Sequence, residues 1–339
     1  MKKWFKRTYK FLKKHISSLH RTISYVKRRT GYTRIYIFFD ILRCYILYSS
    51  TYDEYRIFEF FIVHRRIENT YLTKVRHDDL SSYLYNRNNL EIFKDRREFY
   101  KRFNKFLKRD TCYSKNLSFK QSEELILKNK QVVCKSILMK EEKTEVLNLY
   151  DFRSAAYLLQ ESEKNKLPIL EESVKQHPLL EEINPNNLNI LSVVTLKYDG
   201  VPEVIAATLK FGTSESYQYD YKKSDYISGY VNIDTGKITH KYRSRNGRVF
   251  THHPISKIKV TDIEVPNFEK AKKAALKCAE LMNESLEVEW NFAITKSNVC
   301  LMGANLWGDY IFSQIPEYLG KKVGLMPYYN SHVNKSKKL

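Results

Sequence analysis

Residues 287–302 read EVEWNFAITKSNVCLM, two apolar-rich runs separated by Lys296, Ser297 and Asn298. Short polar segments of this kind connect neighbouring strands. The quoted residues therefore predict two consecutive strands, at 287–295 and 299–302. Because side chains at alternate positions of a strand share a face, Glu289 and Asn291 are expected to project together.

Four further strands are predicted upstream of this pair, at 190–196, 204–211, 227–233 and 237–242. Between the last two, the segment Asp234-Thr235-Gly236 supplies turn geometry and predicts that they form a hairpin. Asn267 precedes a helical pattern at 268–286 and is a candidate N-cap. The C-terminal half therefore combines strands with at least one helix.

The N-terminal half is predicted to be largely helical. Residues 35–109 carry long apolar and aromatic helical patterns and contain no glycine. A short apolar run at 131–134 ends at Lys135, which predicts a buried strand that delivers a lysine to a site. A second interpretation of Lys135 stays open, because a lysine at a strand end is usually solvated.

Positive charge is concentrated at the N-terminus. The 339-residue chain has a formal net charge of +21, and residues 1–34 hold twelve basic residues and no acidic one. Apolar residues recur there at helical spacing, so this segment is predicted to be a basic amphipathic helix. It could bind an anionic membrane surface, where each cation adds about 1 kcal/mol, or pack its apolar stripe on the protein. Nucleic-acid binding is not expected, because no recognition motif accompanies the bases.

Cysteine usage and apolar run length bear on location. The five cysteines include no CxxC pair, which argues against a disulfide framework or a zinc site and favours the cytoplasm. Residues 35–48 form the most apolar stretch, but Asp40 and Arg43 interrupt it and it falls short of the roughly 20 residues that span a bilayer. We expect a cytoplasmic protein, peripheral at the inner membrane face if the basic helix binds lipid.

Several short segments, taken in order, resemble one known family. They are YDEYRIF at 52–58, FKDR at 93–96, Arg109-Asp110, ILEESVKQHP at 169–178, NILSVVTL at 189–196, DTG at 234–236, His253-Pro254, VPNF at 265–268, WNFAIT at 290–295 and Asn305. Over about residues 50–310 the chain resembles the sugar-transfer-associated ATP-grasp family, as a divergent member related to the alpha-L-glutamate ligases.

The resemblance implies an α+β protein with the ATP-grasp fold, in which two α+β lobes surround a nucleotide cleft, preceded by a helical N-terminal region. The expected organisation is a basic helix at 1–34, a helical lobe at 35–110, a small nucleotide-binding lobe at 111–175, a C-terminal α+β lobe at 176–330 and a basic tail at 331–339. ATP is the implied cofactor, with magnesium. The implied reaction activates a carboxylate and transfers it to a sugar-linked or cell-envelope acceptor in the synthesis of surface polysaccharide such as capsule.

The resemblance also implies roles for individual residues. Lys135 would contact the nucleotide phosphates, and Glu171 and Glu172 would contact the adenine and ribose. The remaining predicted cofactor-binding residues lie in the Gln-His-Pro segment and just after it: Gln176, His177 and Asn189. Lys210 would act at the phosphoryl group or substrate carboxylate. Without the resemblance, paired glutamates are more often surface charges and a histidine before proline more often caps a turn.

Several positions depart from the family pattern. No glycine-rich loop follows Lys135, and Ser192 stands where the family carries an arginine. The family would place carboxylates at the positions of Asn291 and Gly303, and magnesium usually needs one or two carboxylates. Glu289 could restore one of them, so the predicted metal ligands are Glu289, Asn291 and Asn305, with Glu289 also a catalytic candidate and Asp309 a second possible carboxylate. Two hypotheses follow: a working ligase or transferase, or a pseudoenzyme that binds a partner or glycan intermediate at the membrane surface.

Overall fold

The computed structural model describes residues 2–84, 91–117, 120–121, 124, 131–139, 144–148, 155–198, 200–213, 226–244, 247–282, 286–306, 308, 310–315 and 323–330. The chain divides into two compact units. Unit 1 comprises Met1–Tyr83 and Asp309–Leu339, and unit 2 comprises Leu84–Gly308.

Unit 1 is helical, as the N-terminal pattern predicts. Its helices are α1 (Lys2–Thr30), α2 (Arg34–Tyr48), α3 (Tyr52–Ile57), α4 (Arg65–Glu68) and α5 (Lys74–Leu84). Side chains set the helix starts: Thr33 caps α2, and Thr51 and Glu54 form a capping box at α3. Buried aromatic rings fill the space between these helices, among them Phe58, Phe60 and Tyr71.

The first part of unit 2 carries a small antiparallel sheet. Its elements are a 3₁₀ turn (Glu91–Phe93), α6 (Arg96–Leu107), β1 (Thr111–Tyr113), a 3₁₀ turn (Ser114–Asn116), β2 (Gln131–Lys135), β3 (Thr144–Asn148), α7 (Ala155–Lys164) and β4 (Ile169–Glu172). The strand order is β1-β4-β2-β3. The predicted strand that ends at Lys135 is confirmed, and it is paired on both sides by β3 and β4.

The second part of unit 2 is built on a larger sheet. Its elements are α8 (Pro178–Ile183), β5 (Ile190–Tyr198), β6 (Val201–Gly212), β7 (Tyr226–Tyr230), β8 (Lys237–Ile238), β9 (Tyr242–Ser244), β10 (Val249–Phe250), β11 (Ile263–Glu264), α9 (Phe268–Glu280), β12 (Leu286–Ile294) and β13 (Val299–Asn305). The seven-stranded sheet has the order β10-β9-β7-β6-β5-β12-β13, and all of its described neighbours are antiparallel. The two strands read from residues 287–302 are confirmed as β12 and β13.

The predicted hairpin across Asp234-Thr235-Gly236 is wrong. The turn exists, since the Gly236 N–H donates to the Asn232 carbonyl at 2.8 Å and Gly236 has φ of +71°. However, β8 pairs with β11 rather than with β7. The reason is that β7 already has β6 and β9 as neighbours in the large sheet, so its edges are filled.

One face of the large sheet is covered by helices. Helix α9 packs on β5, β6 and β12, and α6 packs on β13. Trp290 is fully buried there, 5.1 Å from the Phe103 ring, and its Nε1 donates to Thr195 Oγ1 at 2.8 Å. Asn267 directly precedes α9 as predicted, but its side chain donates to the Thr295 carbonyl at 3.0 Å instead of capping the helix. With the apolar side chains of β12 turned to this face, its polar side chains lie on the other.

Candidate functional site

A buried ionic cluster lies on the small sheet, centred on Glu171 of β4. Lys135 Nζ lies 2.8 Å from Glu171 Oε2, and Arg109 Nη2 lies 2.9 Å from the same oxygen. The other carboxylate oxygen, Oε1, accepts a hydrogen bond from the hydroxyl of Tyr100. Because the ends of β2 and β4 are paired in register, the lysine and the glutamate reach the same place from neighbouring strands.

Burial and neighbouring charges set the protonation of this cluster. Burial would raise the pKa of Glu171, but Arg109, Lys135 and Arg96 outweigh it and hold that pKa at about 2. Burial lowers the pKa of Lys135 to about 8; Glu171 opposes this effect, and Arg109 and Arg96 add to it. Three cations, Lys135, Arg109 and Arg96, therefore act on the ionised carboxylate of Glu171, and lysine and arginine side chains are the residues that bind phosphate in proteins.

A second polar group lies on the large sheet, on the face opposite to α9. Across β12 and β13, Glu289 is in register with Asn305 and Asn291 with Gly303. Asn291 is also in register with Ser192 of β5, whose Oγ donates to Asn291 Oδ1 at 2.6 Å. The sheet register thus brings together the three residues that were predicted as metal ligands.

Lys210 extends this group from β6. Its Nζ lies 2.6 Å from Glu289 Oε1, and both side chains are less than a tenth exposed. The same amine lies 5.7 Å from the centre of the Tyr226 ring. Lys210 and Glu289, the two predicted catalytic residues, are therefore partners in one buried ion pair.

Two hydrogen bonds and one close approach bring the two sheets to a common border. The His177 N–H donates to the Ile294 carbonyl at 2.7 Å, and Arg109 Nη1 donates to the Leu301 carbonyl at 2.6 Å. A Cβ atom at Gly303 would lie 3.9 Å from the methyl of Met139, in the segment that follows β2. The Gln-His-Pro and Trp-Asn-Phe-Ala-Ile-Thr segments are thus neighbours, as the predicted cleft requires.

An apolar surface adjoins the same border. Ile190, Ala293 and Cys300 are buried against the partly buried side chains of Val174 and Met302. Val174 lies two residues after the end of β4, so this surface is close in sequence to the strand that carries Glu171. An aromatic base could stack there while its phosphates lie toward the cations.

Comparison with known proteins identifies the family. A sequence profile described as sugar-transfer associated ATP-grasp matches residues 128–323, more than half of the chain. The chain belongs to this family. The family predicted from the short segments is therefore confirmed, and with it the α+β ATP-grasp fold.

Solved structures that are similar to this ATP-grasp chain are distant from it. The D-alanine–D-alanine ligase from Bacillus anthracis is 13% identical, with a TM-score of 0.41 over 73% of this chain and 68% of that one. The ATP-grasp ligase PsnB, complexed with a phosphomimetic variant of its minimal precursor, Mg and ADP, is 10% identical, with a TM-score of 0.42 over 78% of this chain and 68% of that one. N5-carboxyaminoimidazole synthase from Aspergillus clavatus, in complex with ADP, is 8% identical, with a TM-score of 0.41 over 69% of this chain and 50% of that one. No curated protein matches the sequence.

The ATP-grasp resemblance implies magnesium. The side-chain oxygen atoms at the predicted metal site show whether a magnesium ion would fit there. Magnesium prefers hard oxygen ligands, usually with one or two carboxylates. Here Glu289 is held by the Lys210 amine, and its neighbours on the sheet are the amides Asn291 and Asn305. Within the described part of the chain, no three His, Cys, Asp or Glu side chains are grouped to hold a metal. These residues do not fit a carboxylate-bound magnesium ion, and Asp309 lies outside the described residues.

Two predicted cofactor-binding residues of this ATP-grasp chain have their amides occupied within the protein. Gln176 Nε2 donates to the carbonyls of Asn184 and Asn187, each at 3.1 Å. Its Oε1 accepts from Asn189 Nδ2 at 2.8 Å. These bonds fix the chain that follows β4, so contact of Gln176 and Asn189 with a nucleotide remains a prediction.

His177 and Glu172 also make local contacts. His177 is the N-cap of α8, and its Nδ1 accepts from the Leu179 N–H at 3.2 Å. Glu172 is partly buried and its Oε2 accepts from the Asp110 N–H at 3.1 Å. Neither contact excludes a ligand, and their roles stay predictions.

The structure adds residues that sequence reasoning missed. Arg109 and Tyr100 complete the Glu171 cluster, and Arg96 adds a third cation beside it. Arg109 belongs to one of the family-like segments, but its ion-pair partner is 62 residues away. Only the fold shows that these two residues meet.

Proposed function

We propose that this protein binds ATP at the border of its two sheets and acts in cell-surface polysaccharide biosynthesis. In this proposal it is a ligase or transferase that activates a carboxylate for transfer to a sugar-linked acceptor. The observation that carries the proposal is the buried cluster in which Lys135, Arg109 and Arg96 converge on Glu171. Lysine and arginine side chains grouped in this way support binding of a phosphate chain.

The residues at the border of the two sheets have different roles in ATP binding under this proposal. Lys135 and Arg109 contact phosphate oxygens, and Glu171 holds both cations in place. The backbone around Glu172 and the partly buried Val174 and Met302 contact the base and ribose. The segment that follows β4 is held in place by hydrogen bonds of Gln176, His177 and Asn189.

Lys210 would act at the reacting groups. The implied step moves the γ-phosphoryl group of ATP to a carboxylate oxygen, which releases ADP and leaves an acyl phosphate. A nucleophile on the acceptor then attacks the acyl carbon and displaces inorganic phosphate. The Lys210 amine, oriented by Glu289, would neutralise charge on the phosphoryl oxygens or the carboxylate, which is the electrostatic contribution such a step needs.

A second candidate function is favoured by one observation. Lys210 occupies Glu289, and Asn291 and Gly303 stand at the positions where the family resemblance places carboxylates. A protein with this arrangement could keep nucleotide binding and lose turnover. It would then act as a binding or scaffold protein in the cytoplasm, at the inner membrane face, held there by residues 1–34 and contacting a glycan intermediate.

Calorimetry with ATP tests the nucleotide site that both candidates share. Lys135→Ala removes a charged contact and should weaken ATP binding roughly tenfold to a hundredfold, about 1.5–3 kcal/mol. Lys164→Ala is the matched control, because the Lys164 side chain is 70% exposed and pairs with Glu161 on its own helix. Equal ATP affinity in the wild type and Lys135→Ala would contradict the proposed site.

Turnover separates the two candidates. The wild-type protein is incubated with ATP, a cell-envelope extract and hydroxylamine, which traps an acyl phosphate as a hydroxamate. Extract-dependent formation of ADP and hydroxamate, lost in Lys210→Ala, supports the ligase or transferase. ATP binding without ADP formation supports the non-catalytic candidate.

A further inference from the structure

Helix α2 of unit 1 presents an apolar stripe to the outside. Ile35, Phe39, Leu42 and Ile46 are 72%, 61%, 40% and 68% exposed. Their spacing of four, three and four residues places them in one line along the helix. Further large apolar side chains of α2 flank this line and are also exposed: Tyr36, Phe38, Tyr45 and Leu47.

The other side of α2 is firmly packed. Ile37, Ile41 and Cys44 are at most 4% exposed. Asp40 on this side accepts from the Tyr55 hydroxyl at 2.7 Å and pairs with Arg43 at 2.9 Å. The helix is therefore fixed to unit 1 by one face while an apolar face of similar size remains exposed. Exposed apolar patches of this kind mark interaction surfaces.

The exposed charges in the chain segment that carries the stripe have one sign. Residues 16–50 contain a single acidic residue, Asp40, and its side chain is the buried one described above. Exposed basic residues accompany the stripe in the same segment: Arg21, Lys27, Arg28 and Arg34. An apolar and aromatic face in a basic segment complements a surface that is apolar inside and anionic outside.

We infer that the outer face of α2, residues 35–47, docks on an anionic lipid bilayer. Helix α2 has 15 residues and is therefore about 22 Å long, and none of the helices among the described residues is long and apolar enough to cross a membrane. The helix lies in the plane of the interface, with the stripe among the acyl chains and the bases at the headgroups. A second copy of the chain would bring the same cations against each other, which opposes self-association through this face.

This docking face adds the apolar side chains of α2 to the proposed membrane contact of residues 1–34, with which it shares its cations, and it does not depend on nucleotide binding. It rests on side chains of α2, and its failure would leave the ATP site untouched. Far-UV circular dichroism of the same variants distinguishes a lost docking face from a damaged protein.

Flotation of the full-length protein with vesicles tests the inference. The vesicles consist of phosphatidylcholine alone or of phosphatidylcholine mixed with phosphatidylglycerol. We expect flotation with the mixed vesicles only, and at least about tenfold weaker partition for the double variant Phe39→Gln/Ile46→Gln, because both side chains leave water on docking. The matched control is Val201→Gln/Val249→Gln, which removes two apolar side chains that are 71% and 42% exposed outside α2.

Three results would overturn the inference. One is equal partition of the wild type and Phe39→Gln/Ile46→Gln, and another is an equal loss in the Val201→Gln/Val249→Gln control. The third is a change from dimer to monomer in the α2 variant with unchanged flotation, which would assign the face to a second copy. A Lys27→Gln/Arg28→Gln variant should bind the mixed vesicles more weakly than the wild type, and added salt should have the same effect.

Discussion

Lys210 Nζ lies 2.6 Å from Glu289 Oε1 across the face of the large sheet, and both groups are less than a tenth exposed. The two charges are thus removed from water and stabilise each other. Glu289 is the carboxylate that the sequence suggests as a replacement metal ligand. Its charge is already paired with the Lys210 amine. This pairing decides what the site can do with a divalent ion.

Magnesium should have little effect on ATP binding. The cations that face the phosphates in the proposed site are lysine and arginine side chains, and Glu289 is engaged by Lys210. We expect similar Kd values for ATP in magnesium and in EDTA, measured by calorimetry. A Kd lowered by magnesium more than about tenfold, or about 1.4 kcal/mol, would contradict this reading of the Lys210 and Glu289 pair.

Removing one partner of this pair should destabilise the protein. Glu289→Gln leaves the buried Lys210 amine without its counterion at 2.6 Å, and such losses cost about 3–5 kcal/mol. Urea unfolding measures the effect. Glu264→Gln is the control, because the Glu264 side chain is 74% exposed and its change should stay within about 0.5 kcal/mol. A loss for Glu289→Gln as small as the control's would show that the pair contributes little.

Much of the fold was readable from sequence where the pattern is local. The apolar-rich run at 287–295 predicts β12, and the apolar run before Lys135 predicts β2 and its end. The predicted hairpin at Asp234 is wrong because the residues Asp234, Thr235 and Gly236 determine a turn but do not determine which strands pair on either side of it. Pairing of β8 with β11 joins residues that are far apart in the sequence: Ile238 pairs with Ile263, and Lys237 pairs with Glu264.

The candidate site was readable only in part, for the same reason. Sequence identified Lys135, Glu171, Lys210 and Glu289 one at a time. The ion pairs that define their chemistry join residues 36 and 79 positions apart. Alternation within β12 did predict correctly that Glu289 and Asn291 share a face, because that relationship lies within one strand.

ATP affinity should fall as pH rises through about 8. Burial lowers the pKa of Lys135 from its usual 10.5 to about 8, so its positive charge is lost in a range where an ordinary lysine stays charged. We expect weaker binding at about pH 9 than at about pH 7, measured by calorimetry. Lys135→Arg, whose guanidinium does not titrate there, should flatten this dependence. A pH dependence that is the same in both proteins would exclude Lys135 as its source.

Glu171 should make the protein sensitive to acid. Burial opposes its charge, but Arg109, Lys135 and Arg96 lower its pKa from 4.5 to about 2. The ionised carboxylate therefore contributes stability that is complete above about pH 4.5 and is lost as pH falls toward 2. Urea unfolding should show that the free energy of unfolding of the wild type decreases as the pH is lowered between these values. Glu171→Gln should lack that component, whereas Glu172→Gln, on a partly exposed neighbour, should retain it.

Restoring the two family carboxylates should make the site respond to magnesium. Asn291 and Gly303 are in register across β12 and β13, so Asn291→Asp/Gly303→Glu places two carboxylates side by side next to Glu289. Space allows it, since the nearest atom to a Cβ at Gly303 is the Met139 methyl at 3.9 Å. Three oxygen-bearing acids would outnumber the single Lys210 amine, and magnesium should then strengthen ATP binding in calorimetry. Asn291→Asp/Gly303→Gln has the same shape with one charge fewer and should respond less. If neither variant responds while both fold and bind ATP, the missing carboxylates are not what separates this site from a metal-binding one.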